Sequence, residues 1–213
     1  ADFANDTLKI DESQEDKITS THNDPQKTPI HLEENLVKKA LDLLRGAYKI
    51  EKNFKVTLEK GIPIAAGLGG GSSDAAATLA ALNELLGLNL AIPTLMSLAE
   101  QLGSDVPFFA SQAMVALGTN YGEKITPLTG LKALKFEIKL LDQPKLSTAD
   151  AYTRLDLSQC GQNREQTAKA LEAIKCNDLA VLNKNLHNDF EQLYDVPKGW
   201  HLSGSGPAIF RLL

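Results

Sequence analysis

Phe54-Lys55-Val56-Thr57-Leu58-Glu59-Lys60 alternates strictly between apolar and polar side chains, the period-2 pattern of a half-buried strand. Gly61-Ile62-Pro63 then breaks it. Residues 33–48 follow a different period. Leu36, Ala40, Leu43, Leu44 and Ala47 recur at spacings of three and four, which predicts an amphipathic helix. Glu33 and Glu34 would complement its dipole at the start, and Gly46 lies near its end. Residues 75–88 are rich in Ala and Leu and apolar almost all round, which predicts a helix buried between layers. A further helix is expected from Pro93-Thr94, with Thr94 as N-cap, to Leu102, where Gly103 stops it. Thr7-Leu8-Lys9-Ile10 alternates and reads as a short strand, 17–21 is a second short apolar patch, and Asn23-Asp24-Pro25 reads as a turn. Downstream come a small apolar stretch at 113–117 and a strand at 133–141. Helices are expected at 164–174 and 178–193, then a loop at 194–200 and a strand at 208–213.

Composition narrows the function classes. The 213 residues carry a net charge of −5, which argues against a general nucleic-acid or membrane-surface binder. No apolar run approaches the ~20 residues of a membrane span, and the N-terminal residues show no basic-then-apolar leader pattern. Cys160 and Cys176 are too few for a disulfide framework and read as free thiols of a reducing compartment. The four histidines lie far apart, so a His/Cys metal cluster is not expected.

The sharpest feature is Gly67-Leu68-Gly69-Gly70-Gly71-Ser72-Ser73, which runs straight into the Ala-rich helix. A helix N-terminus carries unpaired N–H groups and partial positive charge, and both suit phosphate. Glycines let the backbone close on an anion, and successive N–H groups can form a nest. The serines add hydroxyls for phosphate or Mg²⁺. No Lys follows the last glycine as in a Walker A loop, and the dinucleotide fingerprint is not met. A flexible Gly/Ser linker is the bland alternative, but such linkers are flanked by polar loops.

Ile62-Pro63-Ile64-Ala65-Ala66-Gly67-Leu68-Gly69-Gly70-Gly71-Ser72-Ser73-Asp74-Ala75-Ala76 resembles the phosphate-loop motif of the GHMP kinases. Gly103-Ser104-Asp105-Val106-Pro107-Phe108-Phe109 is similar to that family's G-A-D-V-P-F segment, and Leu202-Ser203-Gly204-Ser205-Gly206-Pro207 to its C-terminal Gly-rich loop. Weaker matches are Asp6-Thr7-Leu8, Asn35–Ala40, Gly122-Glu123 and Ser147–Tyr152, all in the family's order. The resemblance implies an α+β, two-domain fold. Residues 1–140 would be an ATP-binding domain of the ribosomal protein S5 domain 2-like type. Residues 141–213 would be a ferredoxin-like substrate-side domain.

The resemblance also implies transfer of the ATP γ-phosphoryl group, with Mg²⁺, to the hydroxyl of a small molecule. The extra glycines before Ser-Ser point to the branch acting on the 2-hydroxyl of a cytidine-diphosphate-linked methylerythritol in non-mevalonate isoprenoid synthesis. Homoserine- or mevalonate-type kinases, whose loops are shorter, and a non-catalytic nucleotide-binding module remain alternatives. Pro63, Ala65, Ala66, Gly67, Leu68, Gly69, Gly70, Gly71, Ser72 and Ser73 would bind ATP phosphates, with Ser72 or Ser73 as Mg²⁺ ligand. Asp105, in a tight turn and poised rather than solvated, would be the base. Ser147, Thr148, Tyr152, Ser203, Gly204, Ser205 and Gly206 would lie on the substrate side.

Asn35 is a candidate nucleotide contact, Asp74 either a dipole partner or a group near the metal, and Trp200 a core or surface plug. None of the chain's lysines is an obvious partner for the loop. The implied protein is cytoplasmic, or plastid-stromal in a plant, and a monomer or weak homodimer. The family pattern opens with an A-K-x-N-L strand and a G-Y-H-E segment, and it continues past the last loop. Neither opening segment occurs here, and the span between Asn188 and Ser203 is short for the family's helix. The expectation is a chain incomplete at both ends, with little kinase activity if these residues were the whole polypeptide.

Overall fold

The computed structural model describes residues 5–22, 35–143 and 146–213. Its elements are β1 (Thr7–Ser13), β2 (Lys17–His22), α1 (Leu36–Tyr48), β3 (Asn53–Lys60), α2 (Gly70–Leu85), α3 (Ile92–Ala99), α4 (Val106–Ala110), β4 (Ala116–Thr119), β5 (Lys124–Pro127), β6 (Phe136–Leu140), α5 (Thr148–Arg154), α6 (Arg164–Cys176), α7 (Leu179–Asn185), β7 (His201–Leu202) and β8 (Ala208–Leu212). They group into two compact units. One joins Ile64–Gly69 to Leu128–Leu213, and the other holds the described residues up to Pro63 together with Gly70–Pro127.

In the second of these units β3 is the central strand, antiparallel to β1 and parallel to β2. Its alternation is realised as expected: Phe54, Val56 and Leu58 are fully buried. They meet Val37, Ala40, Leu41 and Leu44 of α1 and Ala75, Ala76, Leu79 and Leu82 of α2 in one core, closed by residues of α3 and α4. The buried stripe of α1 therefore runs through 37, 40, 41 and 44. Leu36 and Leu43 only flank it, and Ala47 is exposed. Asn35 caps α1 by accepting a bond from the Val37 N–H at 2.9 Å. The expected roles of Glu33, Glu34 and the 23–25 turn fall outside the described residues.

Two other expectations are corrected here. α2 begins at Gly70, and it is not buried all round, because Ala77, Ala80 and Glu84 face outward. Its outer face reads as apolar only because alanine serves both as a helix former and as a small exposed residue. α3 starts at Ile92 with Ala91 at the N-cap position, so Thr94 lies inside the first turn. Pro93 explains this, since a residue lacking an N–H costs nothing where helical N–H groups have no partner.

The unit containing Leu128–Leu213 is built on the antiparallel sheet β6-β8-β7. Tyr194, Leu202 and Ile209 form a small core there, with Phe190, Val196 and Trp200 packed against it. Trp200 is a surface plug, flanked by the Lys139 ammonium and Arg211 guanidinium at 4.6 and 5.1 Å from its ring centre. The helix expected over 178–193 stops at Asn185, and a 3-10 turn follows at Asp189–Leu193. The backbone is extended at Leu186 and again at Asn188, which caps the 3-10 turn while its amide donates to the carbonyls of Leu202 and Gly204. Cys160 and Cys176 are free thiols.

The core makes a direct prediction. Leu79 is fully buried and Leu85 is 42% exposed on the same helix. Leu79→Ala should lower unfolding stability by about 3 kcal/mol in denaturant titrations, and Leu85→Ala by under about 1 kcal/mol.

Candidate functional site

The glycine-rich run is built differently at its two ends. Ala65, Gly67 and Gly69 all adopt positive φ, at 47°, 77° and 68°. At Gly67 no other residue fits, because a Cβ there would lie 2.1 Å from the Ser203 carbonyl oxygen. Ser203 donates its hydroxyl to the Gly67 carbonyl at 2.7 Å, and the Ala208 N–H donates to the Ala66 carbonyl at 3.0 Å. The two glycine motifs seen in the sequence thus interlock. Gly206 sits against the Tyr194 ring, and the Tyr194 hydroxyl donates to the Ser205 carbonyl at 2.9 Å.

In this same unit the structure brings together part of the expected substrate side. The Thr148 and Ser205 hydroxyls lie 3.4 Å apart. Ser147 is the N-cap of α5: its hydroxyl accepts from the Asp150 N–H at 3.0 Å and donates to the Asp150 carboxylate at 2.7 Å. Tyr152 is 62% exposed and meets Phe190 edge-on at 5.0 Å.

Gly70 and Gly71 form the first turn of α2. Among the described residues no side chain caps its first N–H groups, so these donors stay available. The Ser73 hydroxyl donates back to the Gly70 carbonyl at 3.0 Å. Ser72 makes no side-chain hydrogen bond among the described residues. Asn35 immediately precedes Leu36, whose side chain would lie 3.7 Å from a Cβ on Gly71 in the first turn of α2. The Asn35 amide nitrogen is buried with no partner among the described residues.

Asp105 stands at the N-cap position of α4 but makes no capping bond, so its carboxylate is not consumed by the fold. It is exposed, which corrects the expectation of a group held out of water. The turn joining β4 to β5 lies against it. A Cβ on Gly122 would meet the Asp105 carboxylate at 4.0 Å. Glu123 stiffens that turn by accepting from the Asn120 amide at 2.5 Å and the Tyr121 N–H at 2.9 Å.

Sequence reasoning missed Lys60. Its ammonium lies between Asp6 and Asp74, and the three side chains are only 2%, 5% and 7% exposed. The signal was present: period-2 alternation places residue 60 on the inward face with 54, 56 and 58. Asp74 is an ion-pair partner, 2.7 Å from Lys60. Burial is the largest influence on Asp74 and pushes its pKa up to about 6. Lys60 opposes this and the Asp6 charge adds to it. Burial also pushes Asp6 up, but Lys60 and the N–H groups of Ile62 and Gly61 outweigh it and hold that carboxyl below its ordinary value.

Comparison with known proteins follows the same lines. Residues 35–113 match the family described as GHMP kinases N terminal domain, which defines the class of the α2 half of the chain. A solved 4-(cytidine 5'-diphospho)-2C-methyl-D-erythritol kinase superposes with a TM-score of 0.68 at 27% identity, over 97% of this chain and 76% of that one. Homoserine kinase from Cytophaga hutchinsonii superposes at 0.76 with 20% identity, over 98% of this chain and 76% of that one, a likeness of fold. The 4-diphosphocytidyl-2-C-methyl-D-erythritol kinase of Clostridioides difficile is 34% identical over 97% of this chain and 74% of its own length. The chain belongs to the 4-diphosphocytidyl-2-C-methyl-D-erythritol kinase family of the GHMP kinases. The relatives of that name from Gloeobacter violaceus and a Synechococcus species are 37% and 36% identical over 84% of the chain, which spans 65% of their length.

Two predictions come from this geometry. Gly67→Ala should cost about 1–3 kcal/mol through strain and contact with Ser203. Gly46→Ala, in the open part of α1, should add a few tenths to about 1 kcal/mol, both read from thermal unfolding. Asp74 predicts a pH slope. Its folded pKa of about 6 lies above the ordinary 3.8, so its contribution is full below pH 3.8 and is lost as pH rises through 6. Asp6 acts oppositely, contributing above its ordinary value and losing this as pH falls through its lowered one. Asp74→Asn should flatten the stability-versus-pH curve between pH 4 and 6 in denaturant titrations.

Proposed function

We propose that this chain carries the phosphate-binding and acceptor-side residues of an ATP-dependent kinase. The acceptor is the 2-hydroxyl of 4-diphosphocytidyl-2-C-methyl-D-erythritol. The observation that carries the reading is the mouth of α2, where uncapped N–H groups and the Ser72 hydroxyl follow a glycine run. The N–H groups that follow Pro63, through residue 73, receive the ATP phosphates. The orphaned Asn35 amide beside α2 suits an acceptor on the nucleotide.

Among the described residues no cluster of three or more His, Cys, Asp or Glu could hold a metal alone. A Mg²⁺ would be held by the nucleotide phosphates with help from the Ser72 hydroxyl, which is free among the described residues, rather than from Ser73, whose hydroxyl donates to Gly70. When bound, the ion offsets the negative charge growing on the transferring group. The uncommitted Asp105 carboxylate orients the acceptor hydroxyl and takes its proton. Thr148, Tyr152 and Ser205 hold the substrate, with the 203–206 loop at the rim. Ser147 and Ser203 contribute indirectly, because their hydroxyls already serve the fold. The reading places this work in the cytoplasm. No helix among the described residues is long and apolar enough to cross a membrane.

The test is phosphoryl transfer followed by phosphorus NMR. The protein is incubated with ATP, Mg²⁺ and either the cytidyl alcohol, homoserine or mevalonate. Any product is expected from the cytidyl alcohol alone, and preference for either other alcohol would refute the substrate assignment. ATP binding without transfer to any of them would favour a nucleotide-binding module. Asp105→Asn should lower kcat by about 10²–10⁴ while leaving ATP affinity within about threefold.

A further inference from the structure

Gly61 and Ile62 lead into the glycine-rich segment, and Asp74 lies just beyond it in the first turns of α2. One charged group reaches both ends. Asp6 accepts from the N–H groups of Gly61 and Ile62, each at 2.8 Å, through one carboxylate oxygen. Its other oxygen accepts from the Lys60 ammonium, which continues to Asp74 at 2.7 Å. Gly70 packs on the same group: a Cβ there would come within 3.3 Å of Asp6 and 3.1 Å of Ile62.

We propose that Asp6, Lys60 and Asp74 form a clamp that fixes both ends of segment 63–73, with Lys60 acting as a positioning residue and not as a phosphate ligand. The proposal rests on the reading of that segment as the phosphate cradle.

Three arguments carry it. A lysine at a phosphate-binding helix mouth ordinarily offers its charge to the anion. Here two buried carboxylates face the one ammonium, so no positive charge is left over for ATP. A cradle of backbone N–H groups works only if those groups converge before the ligand arrives, and glycine is the residue least able to hold a conformation by itself. Pinning the ends of a loop removes much of the ordering that binding would otherwise have to supply. The clamp therefore acts on ATP affinity more than on the chemical step.

The experiment uses the whole chain and three variants: Lys60→Met, Lys60→Arg and Asp74→Asn. Amide hydrogen exchange is measured over residues 61–74 and over α6 as a distant control. ATP affinity comes from calorimetry, and kcat and KM from the transfer assay. Lys60→Met should speed exchange at 61–74 and weaken ATP binding, each roughly tenfold, with α6 unchanged and KM for ATP rising more than kcat falls. Lys60→Arg should recover much of the affinity. Unchanged exchange at 61–74 overturns the clamp, as does a fall in kcat with ATP affinity intact, which would make Lys60 part of the chemistry. Should Lys60→Met not fold, Asp74→Asn decides: it keeps an acceptor but loses the charge. It should raise exchange over 70–74 and the ATP dissociation constant about threefold, and no change in either refutes the proposal. A wild-type protein that binds no ATP refutes the cradle reading instead, while the exchange measurement still judges the clamp.

Discussion

An ammonium group buried in a protein must be paired, and Lys60 is paired twice. Removing it from water alone would cost several kcal/mol, and that cost is offset only by good geometry with opposite charge. The partners come from far apart in the chain: Asp6 stands ahead of β1 and Asp74 lies near the start of α2. Both the entrance to the glycine-rich segment and its exit are tied to that one group. The antiparallel pairing of β1 with β3, which sets Thr7 opposite Glu59, and the packing of α2 over the sheet bring the three residues into reach. The apolar core supplies the stability, and the ion group sets where the glycine segment starts and stops.

A second constraint acts on the same segment from its middle. The approach of Gly67 to Ser203 leaves no room for a side chain, and the bonds at Ala66 and Gly67 tie this stretch to the loop before β8. The Ser203 loop is held in turn by Tyr194 and Asn188. Glycine is required at 67 by contact as well as by its positive φ, which distinguishes this run from a flexible linker.

The acidic net charge is consistent with this design. Lys60, buried beside the glycine segment, is neutralised within the fold, and the donors at the mouth of α2 are backbone N–H groups with a serine hydroxyl. Backbone dipoles act at short range and need no basic surface. The Asp105 carboxylate, proposed as the base, is left free because α4 begins without drawing on it for a cap.

The sequence by itself determined the elements with clear periods: β3 by alternation, α1 by its three-four spacing, and β8 as the strand after the second glycine loop. It also made the glycine motifs legible and marked Asp105 as a candidate, because rare residues in fixed order carry their meaning locally. Where local signals compete, it failed. Alanine disguised the exposed face of α2, Pro93 moved the start of α3, and extended backbone at Leu186 and Asn188 cut a continuous helical pattern short. Only the tertiary structure decided which residues serve the fold and which remain free. Ser147, Ser203 and Ser73 spend their hydroxyls locally or on a distant carbonyl, whereas Ser72 and Asp105 do not. The role of Lys60 belongs to the same class. Its inward position was legible from alternation, but its partners were not. An ion pair across 54 residues is fixed by the path of the chain in space, and a one-dimensional pattern holds no record of that path.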